Sequence, residues 1–171
     1  MRLVTLSRKT INALKKDNGA LKKAVSQRCA VKLELEDDDV IVEGQGGGGE
    51  EWVAEQVLKA IGFGFEPKIA YKLLEDQYFL DEVDLEAAFR GNEKKMLQYK
   101  ARVIGQGGMA KKKLQELSGA FLAVSDRQVA IIGEYEEIRS AKEAILRLLE
   151  GAEHNGVYAF LEKQRQKNRW L

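Results

Sequence analysis

The sequence predicts an α+β fold built from two tandem copies of one β-α-α-β-β-α unit, each with a three-stranded antiparallel sheet, followed by a C-terminal helix. Three observations predict it: an internal repeat, a shared order of hydrophobic periodicities, and a glycine loop set between two helices. Shifting the chain by 89 residues lays Asn18-Gly19-Ala20-Leu21-Lys22-Lys23 on Gly107-Gly108-Met109-Ala110-Lys111-Lys112. The register then holds without a gap, Leu33 on Leu122, Val40 on Val129, Val42 on Ile131 and Gly44 on Gly133.

In the first copy, Leu3 to Leu6 reads as a strand and Arg8 to Lys15 and Ala20 to Arg28 as helices. Val31 to Leu35 and Val40 to Val42 alternate as a hairpin, and Trp52 to Ile61 closes the unit as a helix. Gly46-Gly47-Gly48-Gly49 cannot hold regular structure cheaply and predicts a flexible linker inside this unit. Pro67 stands where a helix can start, and Asp76 to Asp84 is too apolar for a loose linker, so it is expected to pack the two units together.

In the second copy, Gln98 to Val103 is a strand candidate leading into Gly105-Gln106-Gly107-Gly108. Met109 to Leu117 is a basic helix, with Ser118-Gly119 ending it. Ala120 to Val124 and Gln128 to Ile132 form a hairpin about Ser125-Asp126-Arg127, and Tyr135 to Glu150 is a long amphipathic helix. Asn155 to Arg169 predicts the final helix. The expected domains are residues 1–75, with a degenerate glycine loop, and 76–171, with an intact one and the helical extension.

Composition narrows the function classes. The 171 residues carry a net charge of +1, one cysteine (Cys29) and one histidine (His154). A single cysteine excludes an internal disulfide and a cysteine-rich zinc site. No apolar run approaches the roughly 20 residues of a membrane span, and Met1 to Leu6 lacks the long apolar core of a signal peptide. The cytoplasm is therefore expected, with no membrane partner. Charge is segregated: residues 1–28 hold eight Lys or Arg against Asp17 alone, and residues 94–113 hold seven with no acid. Such segregation gives a nearly neutral protein a positive face.

The glycine loop is the candidate site. Glycines remove side chains where a phosphate backbone must approach the main chain. A following helix offers free N–H groups and the positive end of its dipole. Lys111, Lys112 and Lys113 add charge, and an apolar groove lined by Ile104, Leu114 and Phe121 to Ala123 is expected to take bases. The P-loop pattern fails, because Ala110 stands at its second glycine and Lys112 at its hydroxyl position. Gly105-x-Gly107-x-x-Ala110 fits a dinucleotide fingerprint, but the hairpin after it lacks the helical crossover that fold needs. Gly46-x-x-Gly49 precedes Glu50-Glu51 and is set aside.

The run Arg102-Val103-Ile104-Gly105-Gln106-Gly107-Gly108, then Leu114 and Leu117-Ser118-Gly119, resembles the core of a type I K-homology (KH) domain. The segments Ala60 to Pro67, Asp81 to Leu85, Val129 to Gly133 and Glu150 to Glu162 resemble archaeal KH-domain rRNA-processing proteins. These are relatives of the eukaryotic pre-rRNA factor called the partner of Nob, or Dim. That resemblance implies two tandem type I KH domains and a non-enzymatic ribosome-assembly factor without a cofactor. It implies binding to single-stranded RNA near the 3′ end of the small-subunit rRNA precursor. It also implies a Nob-type endonuclease and the alpha subunit of translation initiation factor two as partners. The RNA-binding residues it points to are Arg102, Ile104, Gly105, Gln106, Gly107, Gly108, Lys111 and Lys112. A protein-interaction scaffold with incidental RNA contact is the alternative. In the first copy Lys16 replaces the leading glycine and Asp17 faces the phosphates, so that loop is expected to clamp RNA poorly. His154 and Asp37-Asp38-Asp39 lack the company that catalysis or metal binding needs, Trp52 and Tyr78-Phe79 read as core, and Trp170 is left as a tail residue for RNA or a partner.

Overall fold

The computed structural model describes residues 1–170; Leu171 lies outside the described residues. The chain divides into two compact units, Met1–Asp76 and Gln77–Leu171.

The first unit runs β1 (Arg2–Thr5), α1 (Arg8–Cys29), β2 (Val31–Glu36), β3 (Asp39–Gly44), α2 (Glu50–Phe63) and α3 (Pro67–Ala70), then a 3-10 turn at Tyr71–Leu74. Its sheet has the order β1-β3-β2, all antiparallel, with Leu3 opposite Ile41 and Leu33 opposite Val42. Alternation explains the strands: Val31, Leu33, Val40 and Val42 are buried, while Lys32 and Glu34 face water. Ser7 caps α1 by accepting a hydrogen bond from the Thr10 N–H at 3.2 Å. The helix is broken at Lys16–Gly19, where Asp17, Asn18 and Gly19 adopt left-handed φ values of 53°, 55° and 72°.

The second unit runs β4 (Phe79–Asp84), α4 (Leu85–Ala88), α5 (Glu93–Ile104), a 3-10 turn at Gln106–Gly108, α6 (Met109–Ser118), β5 (Phe121–Val124), β6 (Gln128–Gly133), α7 (Tyr135–Leu149) and α8 (His154–Asn168). Its sheet is antiparallel in the order β4-β6-β5, with Phe79 opposite Gly133 and Phe121 opposite Ile132. Helix α7 opens with the Glu137 carboxylate accepting from the Glu134 N–H at 2.8 Å. It buries Ile138, Ala141, Ile145 and Leu148, one face at helical spacing. With Val83, Val129 and Ile131 from the sheet and Val157 and Leu161 from α8, they form one core. Each fully buried Ile or Leu stabilises by roughly 1.5–3 kcal/mol relative to exposure.

Three expectations are corrected. Gln98 to Val103 is not a strand but the second half of α5. Met96, Tyr99 and Val103 are buried at helical spacing, and Asn92 caps the helix by accepting from the Lys95 N–H at 3.1 Å. The strand that enters the second sheet is instead Phe79–Asp84, the segment read as inter-domain packing. Lastly, the structure holds two three-stranded sheets but not two tandem KH domains. The copies part at the loop: three successive left-handed residues, two of them bearing side chains, replace the glycine turn in the first unit.

Candidate nucleic-acid interface

Helix α5 carries the loop on its C-terminal end. Its inner face is locked into the core by Met96, Tyr99 and Val103, and the Tyr99 hydroxyl donates to the Ile145 carbonyl of α7. Burial holds that hydroxyl protonated far above the ordinary tyrosine range. The opposite face leaves Leu97 67% exposed, followed one and two turns later by Ala101 and the half-buried Ile104.

Gly105 ends α5, its N–H donating to the Ala101 carbonyl at 2.8 Å with φ 72°. A Cβ there would lie 2.6 Å from the Ala110 Cβ and 2.8 Å from the Ala110 nitrogen, so only glycine lets the loop curl against the start of α6. Gly107 and Gly108 have φ 62° and 79°, and a Cβ on either would meet nothing within 4 Å. Both need glycine for their backbone conformation, and both leave open space where an extended polyanion can lie. The Gly108 N–H donates to the Gly105 carbonyl at 3.2 Å and closes the turn. Gly108 is also the N-cap of α6 and has no side chain to satisfy the first N–H groups of that helix.

The lysines continue the site. Lys111 is half-buried, and Lys112 and Lys113 are exposed; among the described residues none of the three is paired with a carboxylate. The Lys113 ammonium lies 5.5 Å from the centre of the Tyr158 ring of α8. Gln106 is exposed at the tip.

Arg102 takes a different place from the rest of the predicted set. Its guanidinium donates to the Leu148 carbonyl at 2.7 Å and the Ala152 carbonyl at 2.6 Å, capping the C-terminal end of α7. The His154 ring nitrogen Nε2 lies 2.8 Å from the Arg102 carbonyl oxygen. Together they tie the base of the loop to the α7–α8 connection. Leu114 is 2% exposed, and Leu122 and Ala123 are buried too, so these expected groove residues belong to the interior. The apolar side chains left open beside the loop on this face of α5 are Leu97, Ala101 and Ile104. Beside them, Lys100 pairs with Asp126 of the β5–β6 turn. Leu97 and Lys100 were missed because reading residues 98–103 as a strand scrambles the face they share; the Met96, Tyr99, Val103 spacing was the signal for a helix.

The other predicted features fall outside this constellation. The Gly48 N–H donates to the Glu50 carboxylate at 3.0 Å, so an acid of the chain already occupies the four-glycine segment. Among the described residues no group of three His, Cys, Asp or Glu is placed to hold a metal ion. No described helix is long and apolar enough to cross a membrane. Trp170 is 89% exposed.

Comparison with known proteins accords with this geometry. The model of the eukaryotic type KH domain (KH domain type I), second in PNO1, matches residues 79–166. The match covers one KH domain, the unit with the glycine loop, and replaces the expectation of two in tandem. A KH domain-containing protein of Methanocaldococcus jannaschii is 38% identical over 153 residues, spanning 87% of this chain and 67% of that one. The pre-rRNA-processing protein pno1 of Schizosaccharomyces pombe is 29% identical over 102 residues, 60% of this chain and 42% of its own length. This chain thus spans less than half the length of that curated eukaryotic relative. These relatives are named for a KH domain or for pre-rRNA processing rather than for a catalysed reaction. In the crystal structure of a complex of a/eIF2alpha, aDim2p and rRNA from Pyrococcus horikoshii OT3, the matching chain is 28% identical. It superposes with a TM-score of 0.88 over 97% of this chain and 94% of that one. The chain belongs to the KH-domain family that includes the PNO1 proteins and archaeal Dim2p.

Proposed function

We propose that this chain is an RNA-binding ribosome-assembly factor. Its KH domain holds single-stranded rRNA near the 3′ end of the small-subunit rRNA precursor and assists processing by binding, with cleavage left to a Nob-type endonuclease. The observation that carries the reading is the open pair Gly107 and Gly108, bare backbone at left-handed φ where an added Cβ would meet nothing within 4 Å. Phosphates lie on that backbone, drawn by the uncapped start of α6 and by Lys111 and Lys112. Bases turn toward Leu97, Ala101 and Ile104. Gly105 and Gln106 shape the turn. Arg102 acts as a positioning residue, since its charge is spent on two carbonyls away from the phosphates. The S. pombe relative's name and the aDim2p complex with rRNA and a/eIF2alpha support rRNA and the alpha subunit of translation initiation factor two as partners. The site of action is the cytoplasm.

The test is fluorescence anisotropy of the full chain with a labelled single-stranded oligonucleotide copying the 3′ end of small-subunit rRNA, across a salt series. Binding tighter than to a shuffled oligonucleotide, falling steeply with salt, is expected. Equal affinity for both sequences and for duplex RNA overturns the reading.

A further inference from the structure

Strand β4 is the outer strand of its sheet, paired on one side only. The Glu82 N–H is taken by the Asp81 carboxylate at 2.8 Å, not by β6. In an antiparallel ladder a residue's N–H and C=O point the same way, so Leu80, Glu82 and Asp84 turn theirs to the outer edge, where the Glu82 N–H is already taken by Asp81 and the N–H groups of Leu80 and Asp84 are the ones on offer. Beside that edge lies a hollow of about 450 Å³ between Phe79 and Asp81 of β4 and Tyr135, Ile138, Lys142 and Leu146 of α7. Three large apolar side chains remain open there: Phe79 at 47%, Tyr135 at 67% and Leu146 at 37% exposure. The charges that line the hollow are each paired within the unit, Lys142 with Asp81 at 2.8 Å, Arg139 with Glu136 at 3.7 Å and Glu143 with Arg147 at 3.0 Å. The edge itself is acidic: Glu82 and Asp84 are exposed, one Asp84 carboxylate oxygen accepting from the Ala87 N–H at 3.0 Å as the cap of α4 while the charge still faces water.

We infer that this edge is a docking site for an extended segment of a partner protein in which basic and apolar residues alternate. The segment adds a fourth strand outside β4. Its basic side chains fall on the face of Glu82 and Asp84, and the residues between them drop toward α7 into the hollow. A second copy of this chain is the wrong occupant. Pairing β4 with itself about a two-fold axis sets Glu82 directly against Glu82, or Asp81 against Asp81, and like charges directly opposite destabilise a ladder. RNA is wrong too, because the edge repels phosphate.

The experiment uses the full chain and a fluorescein-labelled eight-residue peptide of alternating lysine and valine. Saturable binding is expected, with hydrogen exchange slowed at the amides of Leu80 and Asp84. Two peptide controls, one with glutamate for lysine and one N-methylated at alternate residues, should each bind roughly tenfold or more weakly. Glu82→Lys and Leu146→Glu, both on exposed side chains and both checked for folding by circular dichroism, should each weaken the lysine peptide by a similar factor. The inference is overturned by exchange protection that maps instead to the acidic stretch from Glu34 to Glu55, by an N-methylated peptide that binds as well as its parent, or by self-association of the chain through β4.

Discussion

Two loops occupy equivalent places in the repeat and have opposite designs. Lys16-Asp17-Asn18-Gly19 aligns with Gly105-Gln106-Gly107-Gly108. In the second unit three of the four positions lie at positive φ, and all three are glycine. In the first unit three positions again lie at positive φ, but Asp17 and Asn18 carry side chains there. Left-handed backbone costs an L-residue about 1–2 kcal/mol, somewhat less for Asp and Asn. The leading position differs most. Gly105 has φ 72° and sits hard against Ala110, whereas Lys16 has φ −63° and ψ 153° and the counterpart of Ala110 is Leu21. The two loops therefore differ in more than the placing of a turn. The second has a first residue without a side chain, a small residue five positions on, and bare backbone at the tip.

The comparison breaks most sharply at the tip. Replacing Gly107 and Gly108 by Asp puts side chains and negative charge on the bare tip; RNA affinity should fall roughly hundredfold or more in anisotropy titrations, since two carboxylates meet the phosphates. If affinity survives, the tip is not the RNA site. Gly105→Ala comes next. Its methyl meets Ala110 at 2.6 Å, so urea denaturation of the full chain should show a loss of about 3 kcal/mol. Moving the first loop toward the second is gentler: Asn18→Gly, at the position that Gly107 holds in the second loop, should raise stability by about 1 kcal/mol, read as a higher urea midpoint at unchanged slope. Smaller still, Lys112→Ala should lower the log–log salt slope of RNA binding by about 1 while leaving sequence preference alone. Cys29 gives a readout confined to the first unit. Burial pushes its thiol up to about 11 from 9.0. A thiol raised on folding favours the folded state fully below the unfolded value, and that contribution fades as pH climbs from about 9 toward about 11. Iodoacetamide labelling of Cys29 at pH 8 should thus be slow and unchanged by substitutions at Gly107, while labelling and loss of stability should set in together in the alkaline window.

Much of this was legible in the residues. Hairpins read correctly because Val31, Leu33, Val40 and Val42 alternate with charged neighbours, and α7 read correctly because Ile138, Ala141, Ile145 and Leu148 repeat at helical spacing. The glycine loop announced itself by composition. Helix α5 did not: Tyr99 and Val103 are strand-favouring residues, and only packing on Ile145 and its neighbours overrides that preference. The role of Arg102 was out of reach for a stronger reason. Its acceptors, Leu148 and Ala152, lie 46 and 50 residues away, a pairing that no local pattern encodes. The repeat was real as a pattern, yet it promised two tandem KH domains, the first with a degenerate loop, and the family match covers only the unit with the intact one.

Ala110 never faces the open side of the loop, being buried beneath it, yet its methyl is what Gly105 leans on. The two carbons that valine would add at this hidden spot would pry the turn open from below without changing an atom of the exposed tip. The tolerance of the whole interface to mutation is therefore governed from inside the protein, and a drift to valine at position 110 would silence binding while every surface residue stayed the same.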